Sequence, residues 1–279
     1  MAILTISRQF GCGAEEIGAA IAKELGYAYL DRQMILDDMK QAGGKWEEKA
    51  KYFDENKPDL WERHEWSYRG YVALTQCNIY SHALKNNYVI VGRGANFLLK
   101  GVRHHLGIRI EAPMQSRIQK VTAKYNVNTE NAEWLIDKAD REMAGAVYLL
   151  YGRAWDDARE YDFHFDTSRN TPEEIIRIVK AAIAEKEKLY SEASQAVIAL
   201  RFRAAEVKAG IATDPTFNTF LLTVDPKEDG MPEYGLIMRA VVADQRNVSR
   251  IKEIAEKLAG DLPIECDVRS RWYPRLRKR

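Results

Sequence analysis

Three things are scarce in this 279-residue chain, and each scarcity excludes a class of protein. Cysteine occurs three times, at Cys12, Cys77 and Cys266. That odd, unpatterned set suggests neither a disulfide framework nor a zinc site, and it fits a reducing compartment. Net charge is almost absent: 42 Lys and Arg against 41 Asp and Glu leave a formal +1. Such a balance exerts no global pull toward nucleic acid or an anionic membrane. Long apolar runs are missing as well, since no stretch approaches the roughly eighteen apolar residues of a membrane span. No basic segment followed by an apolar run opens the chain. These absences predict a soluble, cytoplasmic protein. His104 and His105 have no third ligand at useful spacing, so no metal site is predicted.

What is present begins with Ala2 to Asp31, read as strand, glycine turn, amphipathic helix, short strand and acidic stop. Ile3, Leu4 and Ile6 make the strand, and Ser7 to Gly13 turn the chain through Gly11 and Gly13. Ile17, Ala20, Ile21 and Leu25 then fall on one helical face, which Gly26 ends. A strand entering a helix through such a turn aims backbone N–H groups and the positive end of the helix dipole at one point, which suits a phosphate. The loop pattern G-x-x-x-x-G-K-[ST] is nevertheless not met. With Gly13 as its last glycine, Arg8 stands for the first glycine, Ala14 for the lysine and a glutamate for the hydroxyl residue. By pattern alone, a turn whose glycines serve only packing is an open alternative. Cys12 reads as a small turn residue.

Further along, Tyr27 to Leu30 reads as a second strand, and residues 33–87 as mostly helix, broken at Gly43-Gly44 and at 56–59. Trp46, Tyr52, Phe53, Trp61, Trp66, Tyr68 and Tyr71 are spaced along it as core residues. Tyr88 to Val91 is a continuous apolar strand of the kind buried in a parallel sheet. It runs into Gly92-Arg93-Gly94, where an arginine fork stands at a strand's carboxyl end. Leu106 to Ile110 and Tyr161 to Asp166 are further strands. A helix carrying Arg117 and Lys120 follows Pro113, a long one runs from Thr129 to about Leu149, and Thr171 to Glu174 cap another that reaches about Leu189. Strands alternating with helices predict a parallel sheet covered on both faces.

Taken together, Ile6-Ser-Arg-Gln-Phe-Gly-x-Gly, Asp31-Arg32, Val91-Gly-Arg-Gly-Ala95, Asp140-Arg141 and the Trp155-Asp-Asp to Ser168 run resemble the cytidylate kinase-like family. That family is a divergent branch of the P-loop nucleoside monophosphate kinases, and the resemblance covers residues 1–188. It implies an α/β fold with a five-stranded parallel sheet, helices on both faces, and transfer of the ATP γ-phosphoryl, with Mg2+, to CMP or a related monophosphate. Under this resemblance Gly11, Cys12, Gly13, Ala14, Glu15 and Glu16 hold the donor phosphates, and Arg8 supplies the missing lysine's charge. Asp31, Arg93, Asp166 and Arg169 bind the acceptor, with Asp166 and Arg169 near it or the adenine end. Arg141 and Arg153, in a lid, act on the transferring group. Asp31 as a helix cap and Arg141 on a charged helix face are the plainer alternatives. The family often carries a basic residue where this chain has Glu15 and Glu16, so a nucleotide sensor without turnover is the competing expectation.

A second domain is expected over residues 191–279. Helix, strand, strand, helix, strand is read from Ala193 to Ala209, Phe217 to Val224, Tyr234 to Ala243, Val248 to Leu258 and Ile264 to Val268, with a turn at residues 225–230. This small α+β module resembles a BON domain through Val207 to Pro215, the strand from Gly235 to Val241 and the helix end Ile254 to Gly260. The resemblance implies a module that binds an anionic ligand or lipid. The basic C-terminal cluster from Arg269 to Arg279 is read as a solvated tail.

Overall fold

The computed structural model describes residues 1–55, 58, 62–217, 219–227 and 234–271. In chain order the elements are β1 (Ile3–Arg8), α1 (Ala14–Leu25), β2 (Ala28–Leu30), α2 (Arg32–Gln41), α3 (Gly44–Glu55) and α4 (Trp66–Leu84). Then come β3 (Tyr88–Val91), α5 (Ala95–Leu98), β4 (His105–Glu111), α6 (Met114–Tyr125), α7 (Thr129–Tyr151), β5 (Phe163–Asp166) and α8 (Pro172–Glu187). The chain ends with α9 (Glu192–Ala212), β6 (Thr219–Pro226), β7 (Leu236–Val242), α10 (Asn247–Ala259) and β8 (Ile264–Ser270). The expected turn at 225–230 lies in part, the break at 56–59 and the basic tail mostly, and Trp61 wholly outside the described residues.

Two compact units emerge. The first joins Met1–Met34 to His82–Gln195, and the second joins Ile35–Ser81 to Ala196–Arg279. Residues 35–81, expected within the first domain along the chain, therefore pack in space with the C-terminal segment. The contacts are apolar and polar: Ala73 of α4 clusters with Ala209 and Ala212 of α9, and Lys208 Nζ donates to Gln76 Oε1 at 3.1 Å. Trp46 and Trp66 meet edge to face at 5.5 Å, and Phe53, Tyr68 and Tyr71 form a second cluster. Trp46, Tyr68 and Tyr71 are buried as expected and Phe53 and Trp66 half-buried, whereas Tyr52 is exposed and donates to Glu62.

The first unit is built on a five-stranded parallel sheet in the order β2-β3-β1-β4-β5. β1 is central, with Leu4 beside Val89 on one flank and Leu106 on the other. On the face that α1 and α8 cover, the strands are apolar, whereas the opposite face also buries Thr5, Ser7, His105 and Arg109. Ile17 and Ile21 of α1 and Ile175, Val179 and Ile183 of α8 join Leu4, Ile6, Val91, Ile108 and Ile110 in one buried cluster. Thr171 and Glu174 form the expected reciprocal cap of α8. α7 opens at Thr129 as expected, and Asn128 caps it by accepting from Asn131 N at 2.8 Å.

The second unit carries a three-stranded sheet, β6-β7-β8, antiparallel on one side and parallel on the other. Val207 and Ile211 of α9 and Ile251 and Ala255 of α10 close its core over Met238 and Val242. α9 runs through Gly210 to Ala212 rather than breaking at Gly210, where a side chain would strike Leu258 and glycine lets the α9 backbone come close.

Candidate nucleotide site

The turn after β1 lies at the carboxyl edge of the sheet's central strand. Gln9 N donates to Ile110 O at 3.1 Å, and Gln9 Oε1 accepts from Ala112 N at 3.1 Å, so the start of the turn is tied twice to the end of β4. Gly11 and Gly13 have φ of 78° and 89°, and Gly13 is the left-handed N-cap of α1. A glycine N-cap has no side chain to bond the first amides, so the N–H groups opening α1 receive no side-chain cap. Cys12 points the other way, into the core, and its Sγ donates to Ile110 O at 3.5 Å. Burial pushes its thiol up to about 11, and the nearby Glu15 carboxylate adds to the shift. The thiol is neutral at physiological pH and unreactive.

Two helices that follow β4 hold this turn. Asp140 of α7 accepts from Phe10 N at 3.0 Å through Oδ1 and pairs with Arg117 Nη1 of α6 at 2.5 Å through Oδ2. Arg117 is buried. Lys120, one turn further along α6, donates from Nζ to Cys12 O at 3.0 Å. A side chain built on Gly13 would come within 2.5 Å of that ammonium. The lysine therefore sits on the turn, in room that only glycine leaves.

A second glycine turn follows β3. Gly92, Arg93 and Gly94 all have positive φ, at 80°, 56° and 67°, and Gly92 N donates to Ile6 O at 2.9 Å. Arg8 connects the two turns: its Nε pairs with Glu15 Oε1 at 3.1 Å, and its guanidinium occupies the space a Gly92 side chain would need. Tyr151 at the end of α7 stacks on Phe97 at 5.2 Å, donates to Arg93 O at 3.4 Å, and fills the space a Gly94 side chain would need. Beneath them the segment after α7 is anchored. Trp155 Nε1 and Tyr161 OH reach Ser7 Oγ at 3.0 and 3.1 Å, and the fully buried Arg109 lies 4.2 Å from the Trp155 ring.

Of the residues singled out from sequence, Arg8, the loop from Gly11 to Glu15 and the Arg93 turn come together around the ends of β1 and β3. Glu16, on the exposed side of α1's first turn, also stays near Gly13. Others are engaged locally. Asp31 Oδ1 accepts from Met34 N at 3.1 Å, capping α2. Asp166 accepts from Ser168 N and Oγ, both at 2.8 Å, and these bonds hold its carboxyl below the usual range. Arg169 is exposed, 3.9 Å from Asp166. Arg153 is exposed and pairs with Glu160 at 3.2 Å, and Arg141 lies on the exposed side of α7. Sequence reasoning gave no role to Lys120 or Arg117. The only local signal was two cations three residues apart on the helix after Pro113.

A parallel sheet in this order, with a glycine turn from its central strand into the first helix, defines the P-loop kinase class. The pattern of the Cytidylate kinase-like family matches residues 3–169, and this chain belongs to that family. It is 31% identical over 183 residues to the cytidylate kinase of Pyrococcus abyssi, covering 65% of this chain and 93% of that protein. Against the cytidylate kinase of Pyrococcus furiosus the identity is 30%, covering 65% and 88%. Among solved structures, an uncharacterized protein from Eubacterium ventriosum superposes with a TM-score of 0.51 at 17% identity, covering 66% of this chain and 99% of that one, a likeness of fold. None of the helices among the described residues is long and apolar enough to cross a membrane.

Proposed function

We propose that the protein is a nucleoside monophosphate kinase that moves the γ-phosphoryl of ATP to CMP or a closely related monophosphate. One observation carries the reading: the turn leaving the central strand offers uncapped amides at the start of α1, beneath an ammonium. In the reaction an acceptor phosphate oxygen bonds to the γ-phosphorus while the bond from that phosphorus to the β–γ bridging oxygen breaks. The electron pair stays on the departing ADP. Such a transfer needs positioning and neutralised charge more than covalent help. Gly11 to Glu16 hold the donor, and Arg8 reaches from the donor turn toward the acceptor. Arg93 takes the acceptor phosphate, assisted by Asp31, Asp166 and Arg169, and Arg141 and Arg153 close with the lid.

Magnesium suits this site: it keeps most of its waters and needs only one or two carboxylates beside substrate phosphates. Glu16, whose carboxylate stays near Gly13, is the residue that would hold it, and the ion would neutralise phosphate charge. A second reading, a nucleotide sensor without turnover, is favoured by the Arg8–Glu15 pair, which ties up a cation the transfer would use. The C-terminal unit is proposed as a BON-like binding module for an anionic ligand or lipid, a reading supported by its mixed three-stranded sheet. Three free cysteines support a cytoplasmic setting.

The test is calorimetric titration with Mg-ATP and each monophosphate, followed by a coupled ADP-release assay. Turnover with CMP above the other monophosphates is the expected result. Binding without turnover selects the sensor, and no binding of either ligand rejects both.

A further inference from the structure

The loop that should carry a lysine carries Ala14 instead, and that alanine is fully buried, so no side chain of the loop offers an ammonium to a polyphosphate. Arg8, the first candidate to replace it, has its Nε committed to Glu15. Lys120 approaches from another element. Its Nζ lies 3.0 Å from Cys12 O, and the absent side chain of Gly13 leaves the room it occupies. Among the described residues no carboxylate lies within ion-pair distance of it.

We propose that Lys120 supplies, from α6, the cation for the donor polyphosphate that the loop does not contain. An ammonium has three donors. With one spent on the Cys12 carbonyl, two remain for phosphate oxygens brought against the amides of α1. The same carbonyl fixes where the charge stands, which a long flexible side chain alone would not.

The position of α6 is set with matching care. Arg117 is clamped between Asp140 Oδ2 at 2.5 Å and Phe10 O at 3.5 Å, and a side chain on Gly11 would come within 2.7 Å of Val121 Cγ2. Helix and loop are thus in direct contact on both sides of Lys120, and a lysine at this place returns to the turn whenever α6 is seated. The arrangement relocates a charge from the loop to the helix beyond β4 without moving the phosphate position. It also accounts for Gly13 beyond its backbone angle, since alanine there would displace the ammonium.

This inference rests on the kinase reading, and the experiment separates the two. Full-length wild type, Lys120→Gln and Lys120→Arg are titrated with Mg-ATP and with inorganic tripolyphosphate, and assayed for turnover at varied ATP. Lys120 is exposed on its helix, so melting temperatures should be equal. Lys120→Gln is expected to weaken Mg-ATP and tripolyphosphate binding and to raise KM for ATP by about a hundredfold, as loss of a charge-assisted contact does. The KM for the monophosphate should stay unchanged, and Lys120→Arg should recover part of the affinity. Wild-type affinity in Lys120→Gln for both ligands overturns the inference and leaves the kinase reading intact. Absence of Mg-ATP binding in the wild type overturns both.

Discussion

After β1 and after β3 the chain makes the same move, a strand running into a helix through residues of positive φ, yet the two turns present different chemistry. The first opens a helix of 12 residues, long enough for its dipole and uncapped amides to favour an anion, and its central residue, Cys12, is withdrawn into the core. The second opens a helix of only 4 residues, which adds little field, but its central residue is Arg93. One turn presents backbone amides beside a lysine from elsewhere, and the other carries an arginine of its own. The packing agrees. Lys120 occupies the room beside Gly13, whereas the Tyr151 ring occupies the room beside Gly94.

The contrast can be broken most forcefully at the anchor of the first turn. Asp140→Ala removes the partner of buried Arg117 and the acceptor for Phe10 N, and should cost about 3 kcal/mol in chemical denaturation. A loss under 1 kcal/mol would show that the turn is seated by other contacts. Gly13→Ala is next: a side chain at φ 89° that also meets Lys120 should cost roughly 2 kcal/mol and abolish measurable Mg-ATP binding in the same titration.

Gly94→Ala tests the other turn, where strain and the Tyr151 ring should together cost about 1.5 kcal/mol. Adding Tyr151→Ala should make the alanine cheaper there, and additive losses would show that the ring is not what fills that space. Arg93→Ala should lower kcat/KM for the monophosphate about tenfold while Mg-ATP affinity stays within twofold. An equal effect on both ligands would merge the two turns into one site. The smallest expected effect is at Cys12. Because its thiol titrates near 11, iodoacetamide should leave it unlabelled in the native protein from pH 7 to 9, and rapid labelling there would mean that the turn opens.

Much of this was legible in the residues. The apolar run at residues 88–91, the threonine and glutamate that cap α8 and the glycines of both turns each record a local backbone demand, and each element formed where expected. Less of the site was. Asp31 could be read at a strand end as a helix cap, and it does cap α2, but nothing along the chain told that Asp166 would bond Ser168. Trp46, Tyr68 and Tyr71 were correctly read as core and Tyr52 was not, while the segment that completes their unit lies far along the chain.

The amino-acid order alone determined the elements, the two turns and the placing of apolar faces, because periodicity, capping and positive φ are settled within a few residues. Which charges meet was decided by tertiary structure. Lys120 reaches a carbonyl 108 residues away, and Asp140 holds an amide 130 residues away, through the seating of α6 and α7 against the loop. Coulomb and hydrogen-bond energies depend on separation in space, and separation in space is what a local pattern does not record.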